Sequence, residues 1–181
     1  MTRAMDVPSM HKEHARRYAA VFILTCSTSK AEQKRKGLSV EDPSGDIIEK
    51  LMCEAGHRIT GRKLIPDKIG LLRATVRQAL KSDAEVIVIT GGTGIAPSDV
   101  TIEGITPMLE KELPGFGELF RKISYETIGS AAMMTRATAG VVRGKAIFCL
   151  PGSPDGVTTA VSKLIVPELG HVLSIAGQDR A

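Results

Sequence analysis

Val21-Phe22-Ile23-Leu24 is a continuous apolar run, the pattern of a strand buried on both faces, and the polar stretch from Thr25 to Lys36 that follows predicts a long surface loop. Pro43-Ser44 offers an N-cap before Gly45. Ile47, Ile48, Leu51, Met52 and Ala55 then recur at helical spacing until Gly56 stops them. Arg58 to Ile65 predicts a weaker strand, and Pro66-Asp67 turns the chain into a second helix striped by Ile69, Leu72, Val76, Ala79 and Leu80. Val86 to Thr90 is the most strand-like segment, and it runs straight into Gly91-Gly92-Thr93-Gly94. Asp99 to Glu112 is helical in pattern, but Gly104 and Pro107 predict a kink or two pieces. Phe116, Leu119, Phe120 and Ile123 mark another helix after Pro114-Gly115. Between Ala139 and Leu150 two short apolar runs flank Arg143-Gly144, a tight reversal that makes one edge strand antiparallel. Pro151-Gly152-Ser153-Pro154 leads into a long helix with Val157, Val161, Leu164, Ile165, Leu169, Val172 and Leu173 facing inward.

Apolar strands separated by helices imply a sheet covered on both faces, so the expected fold is α/β: a three-layer α/β/α sandwich with a mostly parallel, mixed sheet. In such sheets ligands bind outside the carboxyl ends of the strands. The unusual loops of this chain all fall there: Ser27-Thr28-Ser29, Pro66-Asp67, Gly91 to Asp99, and Pro151 to Pro154. Residues 1–18 are polar and aperiodic with an early Pro8, which reads as a flexible N-terminal arm, leaving 19–181 as one domain.

Composition narrows the function. A length of 181 residues, 43% hydrophobic and 24% charged, suits one folded soluble domain with a single core. Aromatic content of 3% with no Trp removes the stacking platforms of single-strand and RNA binders, so no nucleic-acid partner is expected. The net charge of +4 favours anionic ligands without naming one. Cys26, Cys53 and Cys149 form no close pair, which suits reduced thiols in a cytoplasmic protein, and His11, His14, His57 and His171 lack the spacing of a zinc site. The apolar run from Ala19 to Thr25 is too short to span a membrane, so no membrane partner is expected.

Gly91, Gly92 and Gly94 remove side chains where backbone amides must approach a ligand, which suits a phosphate cradle and equally a tight strand-to-helix turn. The segment is neither GxGxxG nor GxxxxGK[ST], so hydride transfer and P-loop hydrolysis lose support. Asp67 and Asp99 each precede a predicted helix, where a carboxylate serves either as a cap or as a ligand to Mg²⁺. Two carboxylates, a glycine loop and hydroxyls such as Ser27 all converge on one sheet edge. Arg136, next to Thr135, suits a bidentate phosphate contact or a surface salt bridge, and Pro151-Gly152-Ser153 suits an anion or a structural turn.

Taken in order, Thr90-Gly91-Gly92-Thr93-Gly94 with Asp99, then Leu113-Pro114-Gly115-Phe116-Gly117-Glu118, then Met134-Thr135-Arg136, then Leu150-Pro151-Gly152-Ser153-Pro154, resemble the MoaB/MogA molybdenum cofactor biosynthesis family from about Val21 to Leu173. The resemblance implies a molybdopterin-binding fold that joins the terminal phosphate of molybdopterin to AMP from ATP, uses Mg²⁺ and releases pyrophosphate. It implies catalytic and metal-holding roles for Asp67 and Asp99, nucleotide and phosphate contacts for Gly91, Gly92, Thr93 and Gly94, and a pterin-phosphate region at Thr135-Arg136. A homo-oligomer, trimer or hexamer, and transient contact with other molybdenum cofactor enzymes are implied as well. The alternative within the same fold is a non-catalytic molybdopterin-binding scaffold. Thr28 and Ile102 depart from the family pattern, which commonly has an acidic residue at the first position and proline at the second.

Overall fold

The structure, a computed structural model, describes residues 18–178. The expected N-terminal arm lies outside the described residues except for exposed Tyr18. Strand β1 (Ala20–Cys26) extends the apolar run to Cys26. The polar stretch that follows is not a long loop: α1 (Thr28–Arg35) forms there, capped by Ser27, whose hydroxyl accepts from the Lys30 amide at 3.4 Å. This helix buries no residue, so it carries no apolar stripe for the pattern to reveal. Helix α2 (Pro43–Glu54) starts two residues earlier than the cap read before Gly45 suggests. Its cap is Asp42, with Pro43 in the first turn, where a missing N–H costs nothing. Gly56, at φ +88°, ends the helical segment as expected.

Strand β2 (Arg58–Ile65), α3 (Ile69–Leu80) and β3 (Val86–Thr90) match their predicted spans. The segment read as helix from Asp99 to Glu112 breaks up as its glycine and proline foretold, and ends differently. It becomes α4 (Thr101–Ile105), a 3-10 turn (Thr106–Met108) and a two-residue edge strand β4 (Lys111–Glu112). Helix α5 (Pro114–Ile128) and a 3-10 turn (Gly129–Met134) lead to the hairpin β5 (Thr138–Val142) and β6 (Lys145–Leu150). Arg143 and Gly144 take φ of 53° and 72° at its tip, the positive pair that matches strand twist in a two-residue reversal. Helix α6 (Pro154–Ala176) is long and apolar enough in composition to cross a bilayer, but Val157, Val161, Ile165, Leu169 and Leu173 lie buried in the core. Its turn at Val161–Ile165 is widened to a π-helix. Pro167 explains this, because it offers no N–H four residues on from Lys163 and its ring crowds that carbonyl.

The six strands run in the order β2-β1-β3-β6-β5-β4, with the first four parallel and the β6-β5-β4 pairings antiparallel. Alternate residues of the same strands serve opposite cores. Val21, Ile23, Val86 and Val88 pack with α2, α5 and α6, whereas Leu24, Ile87 and Ile89 pack with α3 and α4. Both faces are covered, so the strands read as unbroken apolar runs. The chain leaves β1 toward α2 on one face and leaves β3 toward α4 on the other. These diverging connections open a crevice between the carboxyl ends of β1 and β3.

Candidate functional site

The crevice is built by backbone that only glycine permits. Gly91 (φ +87°) lies so close to β1 that a Cβ there would sit 2.2 Å from the Cys26 carbonyl oxygen, and Gly92 also takes a positive φ of +62°. The far end of the loop is pinned to its start by Thr101, which is fully buried. Its hydroxyl donates to the Gly91 carbonyl at 2.8 Å and its amide to the Gly92 carbonyl at 2.9 Å. Thr90 donates to the Pro151 carbonyl and Ser44 to the Gly152 carbonyl, both at 2.7 Å. These three hydroxyls lock the loops after β3 and β6 to each other and to α2. Sequence reasoning passed over all three as site residues, because nothing in their spacing distinguishes a buried hydroxyl from a surface one.

Neither aspartate caps a helix. The cap positions of α3 and α4 fall on Lys68 and Val100, and neither makes a side-chain capping bond. Asp67 is instead held by the first residue of α1. Its Oδ2 accepts from both the amide and the hydroxyl of Thr28 at 2.8 Å, and its own amide donates to the Thr28 hydroxyl at 3.0 Å. Its other oxygen, Oδ1, is buried with no hydrogen-bond partner among the described residues. Asp99 braces its own loop, accepting from the Ala96 amide at 3.0 Å. The glycine spacing now acquires a geometric meaning. A Cβ on Gly92 would lie 2.5 Å from Asp67 Oδ1, and one on Gly94 would lie 2.6 Å from Asp99 Oδ2. Each glycine clears space for one carboxylate, so the loop threads between the two.

Two adjoining cavities, of about 280 and 390 Å³, share Gly91, Gly92, Asp99 and Gly152. Ser27 and Asp67 line the smaller; Thr93, Gly94, Thr135, Arg136 and Pro151 line the larger. Ser153 lines neither cavity. It occupies the cap position of α6 without making the bond. The remaining sequence-predicted site residues therefore meet at one place. A groove of about 450 Å³ between β4 and the end of α6 lies at the opposite end of the sheet.

Arg136 is already engaged: one guanidinium nitrogen donates to the Gly94 carbonyl at 3.1 Å and another pairs with Glu103. Hydrogen bonding from Arg136 holds the Glu103 carboxyl below its ordinary range. The arginine thus props the glycine loop against α4 while facing the larger cavity.

Beneath the smaller cavity sits a charge network absent from the sequence reading. Asp42 accepts from the Thr25 hydroxyl at 2.7 Å, from Arg62 at 2.8 Å and from the Gly45 amide at 3.2 Å. Burial alone would push its carboxyl up, but those bonds outweigh burial and keep it below the usual carboxylate value. Lys30 lies 3.9 Å from the same carboxylate and lines the cavity. Asp immediately before Pro-Ser-Gly was the available signal for this cap. Cys26 also lines the cavity, yet burial, with a smaller push from nearby Asp67, raises its thiol to about 12 despite a hydrogen bond with Thr101. It stays protonated and is no nucleophile. The three cysteines are unpaired.

Residues 22–171 match the family described as "Probable molybdopterin binding domain". The chain is 42% identical over 172 residues to "Molybdenum cofactor biosynthesis protein B" of Bacillus subtilis, covering 94% of this chain and 97% of that one. It is 41% identical over 152 residues, 83% of this chain and 90% of the other, to "Probable molybdopterin adenylyltransferase" of Methanocaldococcus jannaschii. Among solved structures, a tungsten cofactor synthesizing protein MoaB from Pyrococcus furiosus superposes with a TM-score of 0.80 at 38% identity, over 90% of this chain and 99% of that one.

Proposed function

The chain belongs to the MoaB/MogA family of molybdenum cofactor biosynthesis proteins, and from that premise we propose that it is a molybdopterin adenylyltransferase: it joins the terminal phosphate of molybdopterin to the AMP moiety of ATP. An oxygen of the pterin phosphate forms a bond to the α-phosphorus while the bond from that phosphorus to the bridging oxygen breaks, and pyrophosphate leaves. A phosphate oxygen is already ionised near neutral pH, so the reaction needs no strong base and no covalent enzyme intermediate. That suits a site with a buried, protonated Cys26 and, among the described residues, no histidine along its two cavities.

The observation that carries this reading is the pair of carboxylates flanking a glycine loop, one of them with a buried oxygen lacking a partner among the described residues. An orphaned carboxylate oxygen costs free energy unless a cation or donor meets it. The Mg²⁺ implied by family membership fits these residues. Among the described residues no group of three or more His, Cys, Asp or Glu forms a cage, and Mg²⁺ commonly takes only one or two carboxylates, with phosphates and water completing its shell. Asp67 and Asp99 would hold it. When bound it neutralises charge on the nucleotide phosphates.

The protein's own contributions are orientation and anion tolerance. Thr101, Thr90 and Ser44 keep the glycine loop and the loop after β6 in register, so that two anionic ligands approach fixed walls rather than mobile ones. Lys30 and Arg136 supply positive charge, one in each cavity, for two anions brought together. Incubation with Mg-ATP and molybdopterin should release pyrophosphate and yield adenylyl-molybdopterin, resolved by chromatography, with both products absent when either substrate is omitted. Binding of molybdopterin without pyrophosphate release would instead assign the non-catalytic scaffold role.

A further inference from the structure

Resting on the reading of Asp67 as a cation-facing carboxylate, we infer that Thr28 is the positioning residue that sets its orientation. Thr28 is the first residue of α1, but the helix does not need its side chain, since Ser27 supplies the cap. The hydroxyl reaches across to the loop after β2 and makes a reciprocal pair: it donates to Asp67 Oδ2 and accepts from the Asp67 amide. The Thr28 amide adds a second donor to the same oxygen. Of three bonds between two residues 39 apart in sequence, two occupy one carboxylate oxygen, and the other oxygen is left without a partner among the described residues, toward Gly92. A carboxylate free to rotate would exchange its two oxygens, and the arrangement prevents that.

Thr28 is exposed, so these bonds add little to folding, and their consequence is directional. The arrangement has the form of outer-shell support for a metal ligand, in which a neighbouring donor fixes the carboxylate and the free oxygen meets the ion. Glycine at position 92 is what lets that oxygen approach the loop.

The test is Mn²⁺ binding to the full chain in the presence of a non-hydrolysable ATP analogue and without pterin, followed by electron paramagnetic resonance, for wild type, Thr28→Val, Thr28→Ser and Asp67→Asn. Valine keeps the side chain's shape and removes the hydroxyl. Thr28→Val should weaken Mn²⁺ binding about tenfold, the lower end of outer-shell effects. Thr28→Ser should restore it to within about twofold, and the melting temperature of both should move by no more than about 2 °C. Wild-type Mn²⁺ affinity in Thr28→Val, failure of serine to restore it, or a much larger loss of melting temperature would overturn the positioning role while leaving the proposed reaction standing. Wild-type affinity in Asp67→Asn would remove the metal reading on which the inference rests.

Discussion

Gly92→Ala is the most economical perturbation of the site, because one methyl group probes the loop and the carboxylate together. The new Cβ would lie 2.5 Å from Asp67 Oδ1 and 2.7 Å from Thr101 Oγ1, whereas real Cβ contacts essentially never fall under 3.0 Å. Something must therefore move by at least about 0.5 Å, and the two neighbours are the carboxylate facing the crevice and the hydroxyl that pins the loop. Misplacement on the order of 1 Å can cost about 100-fold in rate where anions must be held in line. The backbone adds its own penalty. At φ +62° an alanine costs about 1–2 kcal/mol, which for a chain of this size lowers the melting temperature by roughly 2–8 °C. The expected signature is a pyrophosphate-release rate down by about two decades in a protein that still unfolds cooperatively within that window. Gly70→Ala is the matched control, since nothing lies within 4 Å of its Cβ and its φ is not positive. It should raise stability by about 0.4–1 kcal/mol and leave the rate alone. Activity of Gly92→Ala within about threefold of wild type would show that the loop tolerates displacement and that the carboxylate's place beside it is immaterial.

Asp99→Asn should lower pyrophosphate release by about two decades while the fold persists, because asparagine can still accept from the Ala96 amide but brings no charge. Near-normal turnover would move the metal assignment to Asp67 alone. Asp42→Asn keeps the size of the α2 cap and removes the charge facing Arg62, which should cost about 2 kcal/mol in denaturant unfolding at pH 7. The Asp42 carboxyl is depressed in the folded state, so its contribution is complete above the unfolded value of about 4 and is lost as pH falls through the lower folded value. The stability gap between wild type and Asp42→Asn should therefore narrow on acidification below about pH 4, and a gap that widens there would contradict the network. Sedimentation should find a trimer or a multiple of it, and a 19.3 kDa particle at micromolar concentration would rule that out.

Periodicity along the chain was enough to determine the layers of this protein. Unbroken apolar runs such as Val86–Thr90 require cover on both faces, and striped helices such as Ile69–Leu80 can provide it, so the α/β sandwich follows from burial alone. The glycine-rich turn, both aspartates and Arg136 were visible too, since few residue types suit those positions. Their partners were not. Helix α1 has no apolar stripe because it buries nothing, and its existence rests on a cap and on contacts to the loop after β2. Asp67 and Asp99 looked as much like helix caps as like ligands, and only the folded chain shows that the caps fall on Lys68 and Val100. Thr28 lies 39 residues from the carboxylate it holds, Arg136 reaches back 42 residues to the Gly94 carbonyl, and Ser44 reaches 108 residues to Gly152. Local spacing carries no record of such pairs. Strand order brings them together, because β1, β3 and β6 are neighbours in the sheet while lying far apart in the chain, and hydrogen bonds over less than 3.5 Å then select which side chains meet.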